Sequence, residues 1–406
     1  MSFLDGYFRI TERDSTVSRE VMGGITTFLA MAYIIIVNPS ILSLSGMDKG
    51  ALITVTCLAS FIGTIIAGVW ANSPIALAPG MGLNAFFTYT LTLEKQVPWQ
   101  TALGIVFLSG CFFLILSIGG IRERIANSIP IPLRLAVGGG IGLFIAFIGL
   151  KSMGIVVANQ ATYVGLGEFT KTTCVSIVGL LIITIMEIKK MKGGILLGII
   201  VTTILGIIIG DVSLPEKIIS LPPSPAPIMF KLDILSAMKL SLIGPIFSFM
   251  FVDLFDSLGT LMSCSKEMGL VNEKGEIKNL GRMLYTDAAS TIMGASIGTS
   301  TVTAYVESAA GIVAGARTGL AATVTALIVV GIFMFRQVAA LDFSDFKILF
   351  PAFITIFTMP LTYSISTGLA LGFLSYLIVH ILVGDFKKIN ITLVFIGAIC
   401  LLHLLV

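Results

Sequence analysis

The chain is short of charge. Of its 406 residues only 25 are Lys or Arg and 22 are Asp or Glu, 12% in all. A soluble domain of this length carries about twice that fraction. A net charge of +3 gives no basis for nucleic-acid binding. Histidine is scarcer still, with His380 and His403 isolated on apolar stretches, where packing or an interfacial position is the expected role. The five cysteines, Cys57, Cys111, Cys174, Cys264 and Cys400, fit neither a metal site nor a disulfide framework. They read as packing residues. No nucleophile–base pair, metal set or phosphate loop is present, which argues against an enzyme. The first 20 residues are polar and mixed in charge, so they do not read as a cleaved signal.

What the chain has instead is apolar length. Hydrophobic residues make up 56% of it, and mean hydropathy is +1.03. Apolar segments fall at about 21–38, 51–71, 75–93, 100–119, 133–150, 172–188, 193–210, 236–262, 284–297, 299–315, 318–335, 346–364, 366–383 and 389–406. Many reach the roughly 17–25 residues that cross a bilayer as a helix. No strand-length alternation supports a barrel, and lipid-exposed backbone must satisfy itself internally, so helices are expected. The reading is an all-α polytopic protein of the cell membrane.

Basic residues mark sidedness. Arg9, Arg13 and Arg19 precede the first span; Arg122, Arg124 and Arg134, then Lys189, Lys190 and Lys192, then Lys266, Lys274, Lys278 and Arg282 follow in alternate connections. A cytoplasmic amino terminus puts them all on one side and the proline-rich loop 211–235 outside. Beyond Arg317 the pattern fails: Arg336, Lys387 and Lys388 fall on the wrong side unless one more crossing intervenes.

The chain also echoes itself. Thr56-Cys-Leu-Ala-Ser-Phe-Ile matches Thr286-Asp-Ala-Ala-Ser-Thr-Ile at Thr, Ala, Ser and Ile, and a glycine follows each. An irregular segment comes next in both places: Ala78-Pro-Gly-Met-Gly-Leu-Asn84, and Gly298 to Glu307. An offset of seven spans makes this an inverted repeat, the arrangement in which transporters bind substrate where discontinuous helices meet. Pro79, Gly80 and Gly82 weaken a helix, and Ser300 to Thr303 suit an extended stretch. Two short strands paired in the interior are expected; kinks in ordinary spans are the alternative.

Carboxylates within the membrane are costly and mark function by default. Asp253 and Asp256 are three apart on one helix face, with Thr260 a turn beyond Asp256. Glu307 lies in the second irregular segment and Asn84 in the matching place of the first. If the repeat holds, these groups converge. Asp287, near a span start, reads as interfacial. A carboxylate in a low-dielectric site can exchange a proton near neutral pH, and a pair shares protons as a unit. An ionised carboxylate accepts parallel N–H bonds from a planar heterocycle, and asparagine both donates and accepts. No buried Arg or Lys is available to hold an anion. The site suits a small, neutral, flat ligand with N–H donors. Phe86, Phe87, Tyr89 and Tyr305 are candidates to stack on it or simply to pack.

Four runs carry a family resemblance: Gly24-Ile-Thr-Thr-Phe-Leu-Ala-Met-Ala-Tyr-Ile34, Ala76-Leu-Ala-Pro-Gly-Met-Gly-Leu-Asn-Ala-Phe-Phe87, Asp253-Leu-Phe-Asp-Ser-Leu-Gly-Thr260 and Thr303-Ala-Tyr-Val-Glu-Ser-Ala-Ala-Gly311. With Met359 to Ile365 they resemble the AzgA-like adenine/guanine/hypoxanthine permeases of the nucleobase–cation symporter family. The resemblance implies a 7+7 inverted-repeat fold with core and gate domains and short paired strands in the third and tenth spans. It implies uptake of purine nucleobases driven by the proton gradient, with no cofactor, and a possible homodimer. Residues 1–20 become a cytoplasmic segment, 21–210 the first repeat, 211–235 an extracellular loop, 236–383 the second repeat and 384–406 a terminal apolar segment. Asp256, Glu307 and Asn84 match the family's substrate residues. Thr260, Phe86 and Thr303 complete the expected substrate site, and Asp256 with Asp253 the proton-coupling pair. In one place the chain departs from the family: after Thr318 roughly one span, the eleventh, is missing. That keeps two alternatives open, a transport-deficient purine-binding or sensor protein and an anion transporter of the same architecture.

Overall fold

A computed structural model describes residues 3–117, 146–160, 162–189, 194–210, 222–268, 280–335, 365–389 and 391–405, with isolated positions between them. The expected span 133–150 lies mostly outside these residues. So do most of span 346–364, Arg122, Arg124, Arg134, Lys274, Lys278, Arg336 and the run from Met359 to Ser364.

The chain divides into two units, Met1–Glu216 with Pro222–Ile332, and Lys217–Leu221 with Phe333–Val406. After a short helical turn at Phe3–Phe8, the first unit continues with α1 (Val17–Met31) and α2 (Ile34–Leu42), separated by a turn at Ala32 and Tyr33. Thr16 caps α1 by accepting the Arg19 N–H. Next comes α3 (Lys49–Val69), capped by Asp48, whose carboxylate accepts the Ala51 N–H at 2.7 Å. The third apolar segment is not one helix. It breaks into strand β1 (Leu77–Pro79), a short helix α4 (Met81–Ala85) and a wide π-helical run from Phe86 to Glu94.

Helices α5 (Trp99–Ser117), α6 (Lys171–Ile188), α7 (Gly194–Ile209), α8 (Ile243–Glu267) and α9 (Leu280–Ile297) follow. The tenth apolar segment breaks as the third does, into strand β4 (Val302–Ala304) and α10 (Ser308–Val313). A single helix, α11 (Gly319–Phe335), occupies the region after Arg317. By length and composition Val17–Ser45, Lys49–Val69, Trp99–Ser117 and Leu240–Glu267 can each cross a membrane, and shorter apolar helices accompany them.

Beside the helices and the strands β1 and β4, the described residues hold a hairpin of β2 (Val156–Asn159) and β3 (Tyr163–Leu166). Its β-branched and aromatic residues favour extended chain. The Asn159 side chain accepts the Thr162 N–H at 3.1 Å and shapes the turn.

Helix α9 packs on α5 and α3, and α3 on α2. The core between them is built from Leu52, Val55, Leu77, Phe87, Phe249 and Val302, all fully buried. Close approach needs small residues. A Cβ on Gly24 of α1 would lie 2.5 Å from the Ala321 carbonyl of α11 and 2.8 Å from Val324, so only glycine fits there. The second unit contains α12 (Ile365–Leu382) and α13 (Ile391–Leu405), packed on each other. In it Lys347 pairs with Asp385 at 3.2 Å, and His380 is buried with its ring on Tyr376, a packing role. All five cysteines are free thiols.

Candidate functional site

The two broken segments meet. Strands β1 and β4 run antiparallel, with Leu77 opposite Ala304, Ala78 opposite Thr303 and Pro79 opposite Val302. The ladder extends at both ends: Tyr305 N–H donates to the Ala76 carbonyl at 2.9 Å and Gly80 N–H to the Thr301 carbonyl at 3.0 Å. Both strands are fully buried. A two-stranded ribbon leaves its outer edges unpaired, which is costly where water is absent.

Two threonines solve this. The Thr64 hydroxyl on α3 accepts the Leu77 N–H and donates to the Leu77 carbonyl, each at 2.9 Å. The Thr291 hydroxyl on α9 does the same for Val302, each at 3.3 Å. Each strand is therefore hung from the helix before it, once in each half of the chain.

The carboxylates gather beside β4. Helix α8 brings Asp256 to the strand, where the Thr303 hydroxyl donates to it at 3.5 Å. Glu307 follows β4 directly and accepts a hydrogen bond from the Tyr33 hydroxyl at the α1–α2 turn. Asp256 and Glu307 are both half-buried. Among the described residues no salt bridge involves either. Asp253, one turn earlier, is 2% exposed, so the two aspartates of α8 occupy different settings. Three residues along a helix is about 60° of arc, enough to turn them to different neighbours.

Thr260 is buried on α8. Phe86 packs edge-on against Phe249 with ring centroids 5.1 Å apart, in the main core. Asn84 is fully buried, and both ends of its amide are engaged. Its Nδ2 donates to Asn38 Oδ1 at 2.6 Å, and its Oδ1 accepts from the Ser300 hydroxyl. Asn38 in turn donates to Thr56 at 2.6 Å and to Thr299 at 3.2 Å. This network ties α2, α3, α4 and the approach to β4 together. An open cavity of about 550 Å³ lies elsewhere, lined by Gln96, Gln100, Lys231, Asp233 and Lys239, and none of these candidate residues lines it.

One expectation is overturned. Asp287 is not interfacial: it is 1% exposed and accepts the Ser257 hydroxyl at 2.7 Å. Helix α9 starts at Leu280, four residues before its apolar stretch, so Asp287 already faces α8 from inside the bundle. Tyr33, Asn38, Thr64 and Thr291 were also not foreseen. Their only signal is a polar group inside an apolar span.

A helical bundle that crosses a membrane, with interior strands and half-buried carboxylates at their edge, defines a polytopic membrane transporter. Known proteins agree. A family model described as "Permease family" matches residues 18–344. The adenine permease AdeP of Escherichia coli is 39% identical over 99% of this chain and 96% of its own. The guanine/hypoxanthine permease PbuG of Bacillus subtilis is 40% identical over 95% of each chain. The transmembrane domain of the cyanobacterial bicarbonate transporter BicA shares the fold, with a TM-score of 0.56 over 96% of this chain and 95% of that one, at 16% identity. The chain belongs to the permease family, in the AzgA-like nucleobase branch of the nucleobase–cation symporters. It is a multi-pass membrane permease and not an enzyme.

Proposed function

We propose that this chain is a proton-coupled symporter that takes up purine nucleobases by alternating access. The observation that carries the reading is the half-buried pair Asp256, bonded to Thr303 of β4, and Glu307, three residues beyond that strand, with no salt bridge to either among the described residues. A purine offers a flat face and in-plane N–H donors, and a carboxylate accepts them. In this reading Glu307 orients the base and Asp256 exchanges the proton. Asp253 serves the proton side, while Thr260, Phe86, Thr303 and Asn84 shape the site. The names of the relatives, adenine permease and guanine/hypoxanthine permease, support a purine as cargo.

The amino terminus is cytoplasmic in this proposal, and two inverted repeats of seven spans form a core and a gate. The threonine-hung strands, one in each half, support the repeat. The second repeat is short by about one span. The alignment with the E. coli permease runs over 426 positions, against 406 residues here, so that relative carries chain this one lacks. A homodimer is part of the same proposal.

The test is uptake of labelled adenine, guanine and hypoxanthine in cells stripped of their own purine carriers, with and without a protonophore. Protonophore-sensitive accumulation is expected. Purine binding by the purified protein without any uptake would replace the symporter with a binding protein. Absence of both would remove purines as cargo.

A further inference from the structure

We infer that Tyr33 is a positioning residue for the substrate carboxylate, an inference that rests on Glu307 contacting the base. Tyr33 stands at the turn between α1 and α2, and its side chain reaches the segment that follows β4. Its ring is 5% exposed and packs with Met31, Ile34, Ala76, Ala78 and Tyr305. The neighbouring phenol is not free to compete: Tyr305 donates its only proton to the Pro79 carbonyl at 2.5 Å. Tyr33 therefore spends its own proton on Glu307 Oε1. Among the described residues no side chain or backbone group of any other residue donates to this carboxylate.

The consequence is geometric. Glu307 sits on the short link between β4 and α10, and its carboxylate has three side-chain torsions to fix. A donor on one oxygen fixes the plane of the carboxylate and leaves the second oxygen for a ligand N–H. A flat ligand is bound well only when that plane matches its own. Tyr33 acts through Glu307 and need not touch the base.

Tyr33→Phe keeps the packed ring and removes the donor. The measurement is apparent KM, Vmax and membrane abundance for adenine and hypoxanthine, beside Glu307→Gln. Loss of a hydrogen bond to a charged group corresponds to a rise in KM of roughly tenfold to a hundredfold. That rise is expected for both bases, with abundance and Vmax held within about twofold. In a Glu307→Asp background, where the shorter side chain draws back from the phenol, adding Tyr33→Phe should cost no further affinity. A wild-type KM in Tyr33→Phe, while Glu307→Gln has lost binding, overturns the inference and leaves the Glu307 reading intact. Normal binding by Glu307→Gln removes the reading on which the inference rests. A fall in abundance or Vmax alone, a loss confined to one base, or a full added loss in the Glu307→Asp background overturns positioning through Glu307.

Discussion

Glu20 Oε1 accepts the backbone N–H of Arg317 at 2.9 Å across 297 residues of chain. Its second oxygen accepts the N–H of Thr318 at 3.1 Å, and the side chain is fully buried. These N–H groups precede α11, and the first N–H groups of a helix have no partner of their own. Asn72 takes the next one, Gly319, at 2.7 Å. Arg13 adds two bonds from outside, to the carbonyls of Asn72 and Arg317, each at 2.9 Å. The segment before the first span is thereby tied to the start of a helix near the other end of this unit.

Glu20→Ala strands one buried and one half-buried N–H group at a helix end. A loss of roughly 2–4 kcal/mol is expected, on the scale of charged hydrogen bonds left unmade. Glu20→Gln keeps one carbonyl acceptor and should lose less. Thermal unfolding of the purified protein in detergent reads both, and equal melting of wild type and Glu20→Ala would show that the cap carries no stability.

The threonines that hold the strands make a sharper case, because valine has nearly the same shape. Thr64→Val leaves the N–H and carbonyl of Leu77 unpaired, and Thr291→Val does so for Val302. Each should cost about 1–3 kcal/mol. The two act on one ribbon, so the double variant should depart from the sum. The bonds at Thr64 are shorter, and its replacement should be the more harmful. Melting temperatures of the three variants decide it; a pair of neutral valines would mean that water or backbone movement meets the strand edges instead.

Much of this was legible in the sequence, for physical reasons that also explain the rest. Apolar length exposes spans because a bilayer has a fixed thickness. Pro79, Gly80 and Gly82 exposed the first break, and the β-branched run at 301–303 the second. Asp256 and Glu307 stood out because charge in an apolar segment is expensive. Thr64 and Thr291 did not, since a threonine in a span is small and apolar enough to pass as packing. Asp287 was misplaced because hydropathy locates where a helix becomes apolar, whereas α9 begins earlier, at Leu280. The hairpin of β2 and β3 is short and mostly exposed, and its largely apolar residues do not alternate with polar ones to announce it.

Under the proposed function the two half-buried carboxylates should fail differently. Glu307→Gln keeps the volume and replaces one acceptor oxygen with a donor, so a base that approaches N–H first meets the wrong group. Binding should fall by at least tenfold, on the scale of a bond to a charged acceptor. Asp256→Asn cannot take up a proton. It should bind purine and exchange it across the membrane, but fail to accumulate it on a pH gradient. Equilibrium binding and counterflow in vesicles separate the two. Gradient-driven accumulation by Asp256→Asn would move proton coupling to another group.

Asn84 calls for a different test, because its amide is already engaged at both ends. A residue that only contacts ligand can be replaced without loss of stability in the ligand-free protein. A residue that joins α4 to Asn38 and Ser300 cannot. Asn38 lies on α2, bonded to Thr56, Thr299 and Asn84, so it reports on the frame. Asn38→Ala removes those bonds and leaves several fully buried polar groups short of partners, at a cost of about 2–4 kcal/mol. Asn84→Ala should lower the ligand-free melting temperature by a similar amount, and the double variant by less than the sum, because the two share a bond. If Asn84→Ala instead melts as wild type while purine binding is lost, Asn84 acts on the ligand and the network around it contributes little to the fold.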